Sequence, residues 1–245
     1  MMMRRVAFLG CCFCLLVAGN AMLWAQEGSL TATVGFANGG KKSKAADASN
    51  VVLWLTPAEG STIAPWHGQG SSRPRLVQKN KSFEPHILIV PVGSEVEFPN
   101  RDPFFHNVFS LFEGKRFDLG LYEAGSTRNV LFDKPGISYI FCNIHAEMSA
   151  VVIALTTPYY AVSNRRGEIV IQHVPPGHYT LRLWYEAALP EVLNSMTREV
   201  AISESTSTLG VLHLPATSLP PAHKNMYGAD YAPPSPGSSP AYQRP

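Results

Sequence analysis

A chain of 245 residues with 45% hydrophobic and 16% charged side chains holds enough apolar material for one or two packed cores. Twenty prolines and 19 glycines argue for short strands and frequent turns, and against long helices. A formal net charge of +2 leaves no electrostatic case for nucleic acid or an acidic surface as a partner.

The N-terminus reads as a secretory signal over residues 1–25. Met1–Arg5 is basic, and Val6–Gly19 is apolar but too short to span a bilayer. Cleavage is expected after Ala25, with Ala21 as the alternative. The expectation is an exported protein of the bacterial periplasm, with no membrane span once the signal is removed. Cleavage also removes Cys11, Cys12 and Cys14, so Cys142 is left without a disulfide partner. A free thiol in an oxidising compartment is a liability unless something occupies it.

Ser29–Phe36 alternates apolar and polar residues at strand period, and Val51–Leu55 is a compact apolar strand. Asn38–Ser49 and Thr56–Pro74 are rich in loop-forming residues. Strands then follow closely at Ile87–Val90, Glu95–Phe98, Val108–Leu111, Arg128–Phe132, Ser138–Phe141 and Ser149–Leu155, with turn signals between them. After Thr156-Thr157-Pro158, a second series covers Tyr159–Val162, Glu168–His173, Tyr179–Tyr185, Arg198–Ile202 and Leu209–Leu214. Glu186–Ser195 is the best helix candidate, weakened by Pro190. The expected class is all-β: an antiparallel Greek-key sandwich over residues 26–155 and a second, small antiparallel sandwich over 156–214. Residues 215–245 form a Pro-rich tail expected to be disordered.

Cys142-Asn143-Ile144-His145-Ala146-Glu147-Met148 presents a thiolate, an imidazole and a thioether at C-x-x-H-x-x-M spacing, and His106 stands upstream in Phe105-His106-Asn107-Val108. Two His and one Cys with a weak axial Met form the ligand list of a mononuclear blue-copper site. A short loop between strands can aim Cys142, His145 and Met148 at one point, while His106 must come from a neighbouring strand. Asn107 is read either as a residue tying the Cys142 loop to that strand or as an ordinary strand-end Asn. Zinc is the rival metal, but it would need Glu147 or water as the fourth ligand. A binuclear copper centre would need two bridging thiolates. The expected cofactor is therefore one copper ion per chain.

On Val92–Phe98, Asn100-Arg101-Asp102, Phe105–Val108 and the Cys142–Met148 loop, the first domain resembles a cupredoxin of the plastocyanin and amicyanin type, with the short amicyanin interval between His and Met. The resemblance spans Gln78–Leu155, and Ser29–Thr56 more loosely. It implies a one-electron carrier with copper at one end of the sandwich, His106 buried, and His145 at the surface where a redox protein partner would dock. The long Glu27–Lys79 region departs from a minimal cupredoxin. Pro158–Leu214 resembles the carboxypeptidase regulatory-like, transthyretin-like sandwich, on Asn164–Ile169 and Val174–Leu181. That resemblance implies a structural or docking unit.

His86 and His67 are candidates for approaching the metal, although a structural role is the plainer reading of each. His173 and His178 flank a Pro-Pro-Gly turn and are expected to face solvent. Phe104, Phe105, Ile144 and Ala146 are candidates for an apolar docking rim around His145. No Ser-His-Asp set, phosphate-binding Gly loop or H-E-x-x-H motif is present, which favours a carrier over an enzyme. The competing readings are a copper carrier or sensor without redox traffic, and an interaction module with a copper site.

Overall fold

The structure is a computed structural model that describes residues 27–37, 47–58, 66, 73–111, 113–215 and 223–231. The expected signal and His67 lie outside these residues. As expected, the described chain is all-β, with one short helix.

The strands form two sandwich modules. The first contains β3 (Val77–Lys79), β4 (Ser82–Glu84), β5 (Ile87–Pro91), β6 (Ser94–Pro99), β7 (His106–Ser110), β8 (Phe117–Tyr122), β9 (Thr127–Phe132), β10 (Gly136–Cys142) and β11 (Ser149–Leu155). A five-stranded sheet in the order β5-β11-β10-β7-β8 faces the β6-β9 pair, with the β3-β4 hairpin alongside. Strand period explains the core. In β10, Ser138, Ile140 and Cys142 point inward, and alternate positions point out. Ile140 and Cys142 pack with Phe98, Val108, Tyr122, Phe132, Met148 and Val152.

The second module does not begin where the sequence suggests. The early strands β1 (Gly28–Ala37) and β2 (Val52–Pro57) belong to it, not to the first module. β1 lies between β13 (Glu168–Val174) and β16 (Thr206–Pro215). β2 lies between β12 (Tyr160–Val162) and β14 (Gly177–Trp184), with β15 (Arg198–Ile202) completing that sheet. Leu30, Ala32 and Val34 therefore pack against Ile169, Ile171, Leu181 and Leu212. The expected start of the first sandwich at residue 26 is corrected accordingly: residues 73–155 form a sandwich inserted between strands of another. Nor is this second module wholly antiparallel, because β1 and β16 run parallel. The Asn164–Gly167 turn helps to lock β1 in place. Val34 N–H donates to Gly167 O at 2.8 Å, and a Cβ at Gly167 (φ +78°) would lie 2.3 Å from the Val34 carbonyl oxygen. Helix α1 (Pro190–Ser195) starts on the proline that weakened the sequence reading, at a position where its missing N–H costs nothing.

The modules meet on the outer face of the five-stranded sheet, where Val151, Ile153 and Leu155 pack with Val52 and Trp184. Trp184 Nε1–H donates to Tyr139 Oη at 3.2 Å. His86 completes the seam: its Nε2 lies 2.7 Å from Glu186 Oε2 and its Nδ1 3.2 Å from the Ser149 carbonyl. His86 is thus structural, and it joins the start of β5 to the end of β14.

Hydrogen bonding to the Glu186 carboxylate raises the His86 pKa above its ordinary 6.5. An imidazole with a raised folded pKa contributes stability that is complete below about pH 6.5 and disappears as pH climbs through the raised value. The His86 side chain is 41% exposed, so screening limits the pair to about 1 kcal/mol or less. Glu186→Gln should therefore lower the melting temperature more at about pH 5.5 than at about pH 8. Thermal unfolding of both proteins at the two pH values checks this, and equal losses would remove the charge pair as a stabilising element.

Candidate metal centre

Two adjacent strands supply the donor atoms. His106 opens β7 and Cys142 closes β10, and the antiparallel ladder sets Cys142 opposite Val108. Beyond Cys142 the chain turns tightly into β11. Cys142 N–H donates to Met148 O at 3.2 Å, and Met148 N–H to His145 O at 3.1 Å. Asn143 N–H donates to Asn107 O at 2.8 Å, which ties the turn to β7. The turn sends His145 back over Cys142. His106 Nδ1 and His145 Nδ1 each lie 3.6 Å from Cys142 Sγ. All three donor atoms fall within 4.8 Å of one another.

These separations fit a metal ion. A first-row ion about 2.3 Å from sulfur and about 2.0 Å from nitrogen, in a trigonal arrangement, sets the sulfur-to-nitrogen distance near ~3.7 Å. The observed 3.6 Å separations match this spacing on both sides of the sulfur.

Burial sets the protonation of the donors. His106 is fully buried and its pKa is lowered, chiefly by desolvation. His145 is pushed down to about 4 by desolvation and by the neighbouring His106. Both rings are therefore neutral near neutral pH, each with a nitrogen lone pair to offer. Desolvation raises the Cys142 pKa, against the opposing pull of backbone hydrogen bonds from Asn107, Ile144 and His145. Those same amides are placed to stabilise a thiolate once its proton has been displaced.

Asp102 is the residue that motif reading missed. Its Oδ2 accepts from His106 Nε2 at 2.9 Å and from Lys81 N–H at 3.0 Å, while Oδ1 accepts from Asn80 N–H at 2.6 Å. Although the geometry is that of an ion pair, His106 is neutral, so the contact is a hydrogen bond from Nε2–H. Holding the proton on Nε2 leaves Nδ1 as the free donor toward Cys142. Asp102 also fixes the turn between β3 and β4, where Asn80 and Lys81 both have positive φ. The Lys81 ammonium lies 5.6 Å from the Phe104 ring centroid, and that ring packs against both His106 and His145. Its sequence signal was the i, i+4 spacing of Asp102 and His106 within an otherwise apolar stretch.

Met148 is fully buried in the same core, with its backbone bonded to both Cys142 and His145. Asn107 joins the Cys142 turn through its backbone, and its side chain donates to Asp118 Oδ1 at 2.7 Å. His145 is half-buried beside exposed Ala146 and Glu147. His173 and His178 are exposed, with His173 Nδ1 2.7 Å from Glu27 Oε2.

The sequence matches no protein-family model, and no curated protein matches it. Among solved structures, a purple cupredoxin from Nitrosopumilus maritimus is 21% identical over 34% of this chain and 99% of its own, with a TM-score of 0.31. A copper-containing nitrite reductase from Thermus scotoductus is 22% identical over 42% of this chain and 25% of its own, at 0.33. Amicyanin from Paracoccus versutus is 18% identical over 35% of this chain and 84% of its own, at 0.32. Likenesses of this size decide neither family nor function, and the site stands on its own geometry.

Asp102→Ala would leave the buried His106 Nε2–H without its acceptor and release the two N–H groups of the exposed Asn80–Lys81 turn to water, at a cost of about 2 kcal/mol. Denaturant unfolding of the metal-free protein measures this. A cost near zero would mean that Asp102 does not organise the site.

Proposed function

We propose that this chain is an exported, periplasmic mononuclear copper protein that carries single electrons, acting as a carrier rather than a catalyst. The observation that supports this most directly is the equal 3.6 Å placement of two imidazole nitrogens around one buried thiol. Copper, when bound, supplies the one-electron couple. His106, Cys142 and His145 would hold the copper, with Met148 as a further, weak ligand that tunes its potential. Thiolate and imidazole suit both copper and zinc, but divalent copper binds such donors more tightly, and a thioether is a poor zinc ligand.

The surrounding residues suit electron transfer because they hold the ligands still. Asp102 fixes the orientation of His106, and backbone bonds fix Cys142 and Met148 to each other. Close packing by Phe98, Val108 and Tyr122 resists any change in ligand position. His145 is the half-exposed ligand, beside Phe104 and Ile144. We assign this edge as the docking site of a redox protein partner, with electrons passing through the His145 ring. The second sandwich acts as the frame for this module, in keeping with the docking-unit resemblance of Pro158–Leu214. Among the described residues no helix is long and apolar enough to cross a membrane.

The deciding measurement is the visible and EPR spectrum after addition of one equivalent of Cu(II). An intense thiolate-to-copper band with narrow hyperfine splitting is expected, and ordinary tetragonal copper signals would reject the reading. Cys142→Ser should abolish that band completely. Met148→Gln should retain it and lower the reduction potential, because a harder oxygen donor favours Cu(II) over Cu(I). An unchanged potential would remove Met148 from the ligand set.

A further inference from the structure

Residues 223–231, within the tail expected to be disordered, lie against the metal-ligand turn. The His223 ring stacks on Phe141, the residue before Cys142, with centroids 4.2 Å apart and planes at 28°. Tyr231 Oη–H donates to the Cys142 carbonyl at 2.7 Å. Met226 N–H donates to Asn143 Oδ1 at 2.9 Å. These contacts fall on three consecutive residues, 141, 142 and 143, with the thiol ligand in the middle.

The segment is organised before it touches the turn. Asn225 Oδ1 accepts from the N–H groups of Tyr227 and Ala229, both at 3.0 Å, in a local turn of the kind that Asn side chains form. Asn225 N–H donates to Ala229 O at 2.9 Å, and Lys224 Nζ lies 2.7 Å from Asp230 Oδ1 across the base of the loop. His223 and Tyr231, at the two ends, are thereby brought together edge to face, with ring centroids 5.2 Å apart. The Tyr231 hydroxyl has one proton, and the 2.7 Å contact directs it to Cys142 O. The 3.2 Å contact with His223 Nδ1 is then a donation from the ring N–H to the phenol oxygen. His223, Tyr231 and the carbonyl of the ligating cysteine form one directed chain.

We propose that His223–Tyr231 is a strap belonging to the metal centre, with Tyr231 as a positioning residue for the Cys142 ligand. This rests on the reading of His106, Cys142 and His145 as a copper site. Strand β10 shows where the strap acts. Its outward residues Ile137 and Tyr139 pack against the second module, whereas Phe141, at the metal end, packs on Phe109 and stacks with His223.

The test uses full-length Tyr231→Phe and Tyr231→Ala, with Tyr227→Phe as control, since Tyr227 is 80% exposed on the same strap. The first readout is hydrogen exchange of the metal-free protein over residues 142–148. The second is the rate at which a Cu(I) or Cu(II) chelator removes copper, followed on the thiolate band. Tyr231→Phe should speed both by about tenfold, as loss of a partner supporting a ligand does. Tyr231→Ala should exceed it, and Tyr227→Phe should match the wild type. Exchange and copper loss unchanged in both Tyr231 variants would overturn the proposal. A wild type with no thiolate band, but with faster exchange in the variants, would sink the copper reading and leave the strap in place.

Discussion

The side-by-side pairing of β7 and β10 brings His106 and Cys142, 36 residues apart in sequence, to 3.6 Å. The other features of the site refine that contact. The turn after β10 needs little length to return His145 to the same sulfur, because Met148 and Cys142 are already bonded backbone to backbone at the mouth of β10 and β11. A longer turn would raise the entropy of closure only slowly, but it would lose this fixed geometry. The desolvation that keeps both imidazoles neutral also keeps the metal-free thiol protonated. Metal binding must therefore displace a proton from a site whose two other donors are already free.

Asp102 deals with the risk that comes with a buried imidazole. A neutral histidine has two tautomers, and only one places a lone pair toward Cys142. The carboxylate settles the choice by accepting from Nε2–H, and its other bonds go to the backbone of the Asn80–Lys81 turn. The hairpin of β3 and β4 thus acts as a buttress for a ligand it does not touch. Tyr122 plays a similar part in the next layer of the core. It pairs with His106 across β7 and β8 and donates its hydroxyl to buried Gln78 at 2.6 Å.

The donor set was legible in the sequence because a metal site needs particular atoms at particular spacings, and C-x-x-H-x-x-M states three of them outright. Strand positions such as Ser149–Leu155 and Tyr179–Tyr185 were legible from apolar runs and alternation. Partnership between strands was not. The alternation of Leu30, Ala32 and Val34 shows that one face of β1 is buried, but it cannot tell which of two sandwiches buries it. The actual partner, β16, is separated by more than 170 residues, as in the pairing of Ser29 with Thr206. Strand β8 escaped notice because Asp118 and Gly120 interrupt its pattern, although Asp118 there bonds the Asn107 side chain. The order of residues 223–231 was not legible for a related reason. Composition measures the ability to form an independent core, and residues 223–231 form none; they use a core that is already built.

Insertion of one sandwich into the other has a mechanical consequence. The metal module enters and leaves through β2 and β12, which pair with each other in the second module. Its two ends are therefore clamped together, which restricts splaying of the inserted sheet. Trp184 and Val52 come from the same four-stranded sheet and press on β11 from outside. The strap reaches the metal end of the same outer face, from beyond the last strand of the second module. Three contacts thus brace the inserted module: the clamp at Trp54 and Tyr160, the Trp184 seam at Tyr139, and the His223 stack at Phe141. Bracing of this kind keeps three donor atoms within 4.8 Å of one another in a closely packed core, so the geometry of the site belongs to the scaffold and not to whatever it binds.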